Sequence, residues 1–272
     1  MTARQSRPQR LAKWLLPPVL WPHAVRLHRV ALPFLMALTG RRSELLDTPT
    51  GRYWVPRDTP YDPIVRHIRA GLVFESETLD LARRFVNPGD TVIDVGANLG
   101  QMMVQFSSMV GAHGQVFACE ANPLVFKLLA RTIAENGCTN VVPLFGAVGE
   151  SGGEWVRFPQ PRLWLHAGYG SYGVAPNKGR GMLVPTIALD DLDIRGRVAF
   201  LKIDTQGSDL RVMRGARRLI AAHRMPILFE HEAEYDVAFN TSFSEYAAFV
   251  AQVGYKVTET FSFNQYFAVP SA

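Results

Sequence analysis

In the stretch DVGANLG, from Asp94 to Gly100, a carboxylate closes an otherwise apolar run and two glycines follow in the spacing Asp-x-Gly-x-x-x-Gly. A hydrophobic core has no use for an acid at that place, whereas a ligand has. Glycine lets the backbone turn tightly and approach a ligand closely, and the helix that follows starts with free N–H groups. Pyrophosphate cofactors use such a helix start through G-x-G-x-x-G. Here the acid precedes the first glycine by two residues, so the site repels a pyrophosphate and attracts an ammonium or a sulfonium.

Glu120, in FACEANP, stands twenty residues after Gly100 at the end of the next apolar run. An acid so placed accepts hydrogen bonds from both hydroxyls of a ribose. A cationic amino-acid head joined to a ribose is what S-adenosylmethionine presents. Two later strands repeat the pattern of a polar end: LKIDTQG delivers Asp204, and ILFEHE delivers Glu230 and His231. Neighbouring strands that each end in polar residues describe the floor of a pocket. Asp204 is expected as a general base or as the group that orients an acceptor, with Glu230 and His231 next; for His231 a satisfied core histidine is the alternative. A helix cap is the alternative for Asp204, but Ser208 is better placed for that. Lys202 is expected to be snorkelling or paired rather than nucleophilic. Asp204 and Glu230 are hard enough for a metal, but no spacing demands one, and no metal ligand is assigned.

These residues need a scaffold that brings strand ends together. Apolar runs at Thr91–Val95, Gln115–Cys119, Val141–Leu144, Val198–Asp204 and Met225–Glu232 read as strands. Between them, Gly100–Val110, Pro123–Asn136 and Asp209–His223 carry helical periodicity, with Pro123 suited to a first turn. A further helix is expected in ETLDLARRFV and at Ser244–Val253, and two last strands at Lys256–Thr260 and Gln265–Val269. Strands are also expected at Glu154–Phe158 and Met182–Pro185, flanking a Gly/Tyr/Ser loop, and in the short run before the proline-rich turn of Gly51 to Pro63. Alternation of buried strands with helices implies a mostly parallel sheet covered on both faces, which binds ligands at the carboxyl ends of its strands.

The chain resembles the FkbM-like family of S-adenosylmethionine-dependent methyltransferases from about Arg52 to Val269. The matching stretches are GLVFESET, NPGDTVIDVGANLG, CEANPLVFKLL, GAVGESGG, VPTIALDDL, LKIDTQGSDLRVMRGARRLI and PILFEHE, in that order. The resemblance implies an α/β class I methyltransferase fold, a seven-stranded sheet with its last strand antiparallel. By the same resemblance Asp94, Gly96, Asn98 and Gly100 hold the methionine part of the cofactor and Glu120 its ribose. Gly96 is expected where backbone and ligand nearly touch, so that a valine there removes binding while the fold survives. Gln206 departs from the Glu that many relatives carry. The expected activity is O-methylation of a hydroxyl, on a sugar of a glycan, glycolipid or secondary metabolite. Two rivals remain: a cofactor-binding module without catalysis, and a nicotinamide-dependent oxidoreductase, which the missing G-x-G-x-x-G disfavours.

Charge divides the chain. Eight of its 29 Lys and Arg and none of its 24 Asp and Glu lie in residues 1–42, so the net +5 conceals a remainder of −3. That remainder has the wrong sign for a phosphate footprint, and no nucleic-acid partner is expected. The basic segment is apolar, but prolines 17, 18, 22 and 33 interrupt it, and it satisfies neither a spanning helix nor a signal peptide. Residues 1–50 are therefore expected as an N-terminal helical arm before a catalytic domain at 51–272. The arm packs on the body as a lid or lies on an anionic membrane through residues 1–42. Two cysteines, Cys119 and Cys138, give no disulfide framework, and a cytoplasmic protein with reduced thiols is expected.

Overall fold

Ser43–Thr48 (β1) and Gly51–Pro56 (β2) pair as an antiparallel hairpin at the start of the residues that the computed structural model describes, which are 43–59, 61–159, 168–170, 172–174 and 181–271. The expected boundary between residues 50 and 51 falls at the tip of this hairpin. Residues 1–42, with the expected arm and its lid or membrane role, and most of the Gly/Tyr/Ser loop lie outside the described residues. Tyr53 and Val55 of β2 are fully buried. A helix that the sequence reading did not expect follows at Pro63–Arg69 (α1). Asp62 caps it by accepting from the N–H groups of Ile64 and Val65, and Pro63 fills its first turn.

Ser76–Ala82 (α2) precedes the first sheet strand, Thr91–Val95 (β3), all five of whose residues are buried. The chain continues through Gln101–Val110 (α3), Gln115–Glu120 (β4), Pro123–Glu135 (α4) and Val141–Phe145 (β5). Ala147–Val148 (β6), Trp155–Pro159 (β7) and Gly181–Ile187 (β8) form a small separate sheet. Val198–Ile203 (β9), Asp209–Arg214 (α5), Arg217–His223 (α6) and Ile227–Glu230 (β10) come next. Asp236–Phe239 (α7), Phe243–Gln252 (α8), Tyr255–Phe261 (β11) and Gln265–Pro270 (β12) complete the described chain.

The large sheet has seven strands in the order β11-β12-β10-β9-β3-β4-β5. β3, β4, β5, β9 and β10 run parallel, and β12 is antiparallel to both of its neighbours. This is the class I methyltransferase arrangement that the resemblance implies. Strand order reverses between β3 and β9, the place where such a sheet opens a crevice. Side chains alternate between two apolar layers. Ile93, Val95, Leu201 and Phe229 pack on one face, and Val92, Ala118, Phe200 and Leu228 on the other.

The helix expected over Asp209–His223 is two. The break falls at Gly215, whose carbonyl accepts from the N–H of Asp190 at 2.8 Å and where a Cβ would overlap the carbonyl oxygen of Gly149. Asp190 then restarts the helix, accepting from the N–H of Arg218 at 3.0 Å and of Leu219 at 2.8 Å. Among the described residues, no helix is long and apolar enough to cross a membrane.

Candidate active site

The parallel strands end on one edge of the sheet, and Gly96, Glu120, Asp204 and Glu230 follow or close β3, β4, β9 and β10 on that edge. They line one cavity of about 520 Å³, a size typical of small-ligand sites. Asn98 lines it as well, and so do Glu75 and Gln206.

The turn after β3 is built by backbone needs. Gly96 has φ +81°, and it and Ala97 both donate to the carbonyl of Cys119, at 3.0 and 2.9 Å. Asp204 donates its N–H to the carbonyl of Val95 at 3.0 Å, which brings the end of β9 against the turn. A Cβ on Gly96 would overlap the carbonyl oxygen of Asp204. The expectation that a valine at 96 spares the fold is therefore corrected: the neighbouring strand forbids the side chain before any ligand does. Gly100, with φ +86°, begins α3, and a Cβ on it would meet Leu129 and Met103 at 2.8 and 2.9 Å. It lies outside the cavity lining and permits helix packing, a correction to its expected contact with the cofactor.

Glu120 is tied at both oxygens. Oε2 accepts from the N–H of Asn98 at 2.9 Å and Oε1 from the N–H of Asn122 at 2.7 Å. Burial pushes its carboxyl up to about 7, against the pull of these two bonds. Each oxygen keeps a second lone pair, so the group retains the capacity to receive two hydroxyls.

Asp94 does not reach the cavity. It is fully buried beneath it, and neither carboxylate oxygen has a hydrogen-bond partner. Its counter-charge is the Lys202 ammonium, 3.6 Å away, which also lies 3.3 Å from Asp204. The expected direct attraction of Asp94 for a ligand cation is thus replaced by an internal one. Burial works against the Lys202 charge, but Asp204, Asp94, Glu75 and Glu230 override it and raise its proton affinity.

Above Lys202 three carboxylates converge. Oxygens of Glu75, Asp204 and Glu230 all lie within 4.8 Å of one another. Gln265 bridges two of them, donating to Glu75 at 2.6 Å and to Glu230 at 3.3 Å. Asp204 is held from the other side by Gln206 at 3.4 Å. Burial, followed by the charge of Asp204, pushes Glu75 up to about 7, and the same two causes raise Glu230 well above the usual carboxylate range. Asp209, fully buried, fixes the frame by accepting from the N–H of Thr205 and of Glu230, at 3.1 and 2.9 Å.

His231 is not in this group, which corrects the expectation that placed it beside Glu230. Successive strand residues point to opposite faces. Its ring lies on the side away from the cavity, against Phe243, Tyr246 and Tyr266, and its Nε2 is 2.9 Å from Asp236. Glu75 was missed by the reading of residue types. The available signal was an acid just before α2 in the GLVFESET stretch, with a Glu–Gln contact across 190 positions left invisible.

Residues 94–257 match the family model of the Methyltransferase FkbM domain. No curated protein sequence matches the chain. Among solved structures it is similar to the methyltransferase FkbM from Methylobacillus flagellatus KT, at 16% identity and a TM-score of 0.45, over 76% of this chain and 55% of that one. The chain therefore spans about half the length of that protein. It is also similar to a putative rRNA-methylase from Clostridium thermocellum, at 14% identity and a TM-score of 0.47, over 72% and 96% of the two chains. A third is the Aeropyrum pernix fibrillarin in complex with natively bound S-adenosyl-L-methionine, at 13% identity and a TM-score of 0.38, over 67% and 66%.

Proposed function

This chain belongs to the FkbM methyltransferase family, and we propose that it methylates a hydroxyl of a sugar, in a glycan, glycolipid or secondary metabolite, with S-adenosylmethionine as donor. The observation that carries this reading is a single cavity with a ribose-type acceptor, Glu120, at one strand end and a carboxylate cluster at two others.

The residues present fit the cofactor. Glu120 lines the cavity, is held by two backbone N–H groups and keeps a second lone pair on each oxygen. Gly96 and Asn98 leave the wall beside it without bulk. When bound, S-adenosylmethionine supplies an electrophilic methyl on a cationic sulfur. Glu120→Ala is expected to weaken its binding about 10–150-fold, the range set by hydrogen bonds to a charged group. Calorimetry that finds unchanged affinity removes Glu120 from the cofactor site.

The chain's own work is to hold the acceptor and take its proton. Alignment of two reactants contributes as much as ~7–11 kcal/mol, and a base adds roughly 10²–10⁴-fold. Asp204 pairs with Lys202 at 3.3 Å and accepts from Gln206 at 3.4 Å, which suits it to orient a hydroxyl. Glu75 lacks a cation within salt-bridge distance among the described residues and has its carboxyl near 7, which suits it to accept the hydroxyl proton. Only its deprotonated form accepts, so turnover is expected to fall as pH drops below about 7. Glu75→Gln is expected to lower kcat roughly 10²–10⁴-fold and to remove that acidic limb. Asp204→Asn is expected to lower kcat and to move the limb to lower pH, because the charge of Asp204 is one cause of the raised Glu75 carboxyl, with the affinity for S-adenosylmethionine changed little in both. Rates on a glycan extract, followed by methyl mass gain on sugars, decide it. A Glu75→Gln enzyme with normal kcat overturns the base assignment, and wild type that methylates no sugar overturns the reading.

A further inference from the structure

We propose that the tip of the β11–β12 hairpin presents Phe263 as a platform on which the acceptor's pyranose ring stacks, an inference that rests on the sugar-hydroxyl reading above. Phe263 and Asn264 have φ +61° and +58°, two consecutive left-handed residues between Phe261 and Gln265. Tight hairpins that need this conformation take Asn-Gly or Asp-Gly. Phenylalanine is a poor occupant, because its Cβ crowds the backbone at positive φ. Nor does burial repay the strain, since the ring is 57% exposed. Strain that local packing does not offset collects at ligand sites, and the inference runs from the outlier to the function.

The surroundings say what the ring meets. Phe263 lines the cavity, with its centroid 5.2 Å from that of Phe74. Phe74 in turn meets His67 edge-on at 5.1 Å, so an aromatic row runs along one rim. Glu75 follows Phe74 directly and turns its carboxylate into the cluster with Asp204 and Glu230. The carbonyl of Asn264 accepts from the N–H of His231 at 3.1 Å, which moors the hairpin tip to the end of β10 beside Glu230. Aromatic faces on one side and carboxylates on the other match a ring with C–H faces and hydroxyl edges. The carboxylates disfavour a phosphorylated or otherwise anionic acceptor.

The test uses the full chain saturated with S-adenosylhomocysteine and saturation-transfer NMR with methyl glucoside, methyl mannoside and methyl galactoside. Glycerol serves as the ringless control and phenol as the flat one. At least one pyranoside is expected to bind through its C–H face. Phe263→Asn is expected to weaken that binding about 2–10-fold, as loss of one aromatic contact does, and Phe263→Tyr to retain it. Because asparagine tolerates the left-handed region, Phe263→Asn is expected to melt no lower than wild type. Equal pyranoside binding by Phe263→Asn, no pyranoside binding by wild type, or binding of phenol alone overturns the platform. So does a lowered melting temperature with loss of cofactor affinity, which makes Phe263 a structural residue. Methylation of a glycan extract separates the two ideas: equal rates for wild type and Phe263→Asn leave the reaction standing without the platform, whereas no methylated sugar removes the reaction itself.

Discussion

Gly96→Ala is expected to cost the fold about 4 kcal/mol or more, the range in which single substitutions point to one defined clash. The cause lies in the adjoining strand. Asp204 N–H reaches back to the carbonyl of Val95, so the carbonyl oxygen of Asp204 sits where a Cβ on residue 96 would project. The φ of +81° adds its own penalty for any L side chain. Relief requires β9 to move away from β3, and Asp204 lies at the end of β9. The variant is thus expected to lose stability, cofactor affinity and turnover together, because one displacement disturbs all three. Circular dichroism melting with calorimetry on the same preparation checks it. A variant that melts like wild type but binds no S-adenosylmethionine assigns the glycine to the ligand and refutes the clash.

That glycine shows where reading along the chain stops. DVGANLG marks a ligand turn correctly in place, and Gly96, Asn98 and Glu120 do line the cavity. What excludes a side chain at 96, however, is a backbone more than a hundred residues away, and local spacing carries no trace of it. The central strands were legible because burial on both faces writes an unbroken apolar run. Gly215 within a helical pattern does not announce a break, since the groups that meet it, the N–H of Asp190 and the carbonyl of Gly149, are remote in sequence. His231 shares the strand end with Glu230 in sequence, yet period-two geometry sends the two side chains to opposite faces. Glu75 precedes a short helix at φ +53° and makes no capping bond with its side chain. Nothing local distinguishes it from a solvated acid until Gln265 and Asp204 are brought beside it.

Lys202→Met is expected to destabilise the protein by roughly 3–5 kcal/mol, the cost of removing one partner from a buried charge pair. Methionine keeps the length and bulk of the side chain, so packing changes little and the charge is isolated. Asp94 loses the only cation within salt-bridge distance among the described residues, and it has no hydrogen bond to fall back on. Asp204 loses its ion pair, and Glu75 and Glu230 lose a favourable neighbour. For a body of this size the melting temperature drops by roughly 6–20 °C. The pH dependence identifies the cause. An acid whose folded pKa exceeds its unfolded value binds more protons when folded, so stability falls as pH rises through that window. For Glu75 the window already runs from 4.5 to about 7, and removing the ammonium extends it upward for each neighbouring carboxyl. The variant is therefore expected to be closest to wild type near pH 5 and furthest from it near pH 8. Denaturant titrations at the two pH values measure the difference. A loss of the same size at both, or one below about 1 kcal/mol, shows that Lys202 is not what holds the acids of this site together.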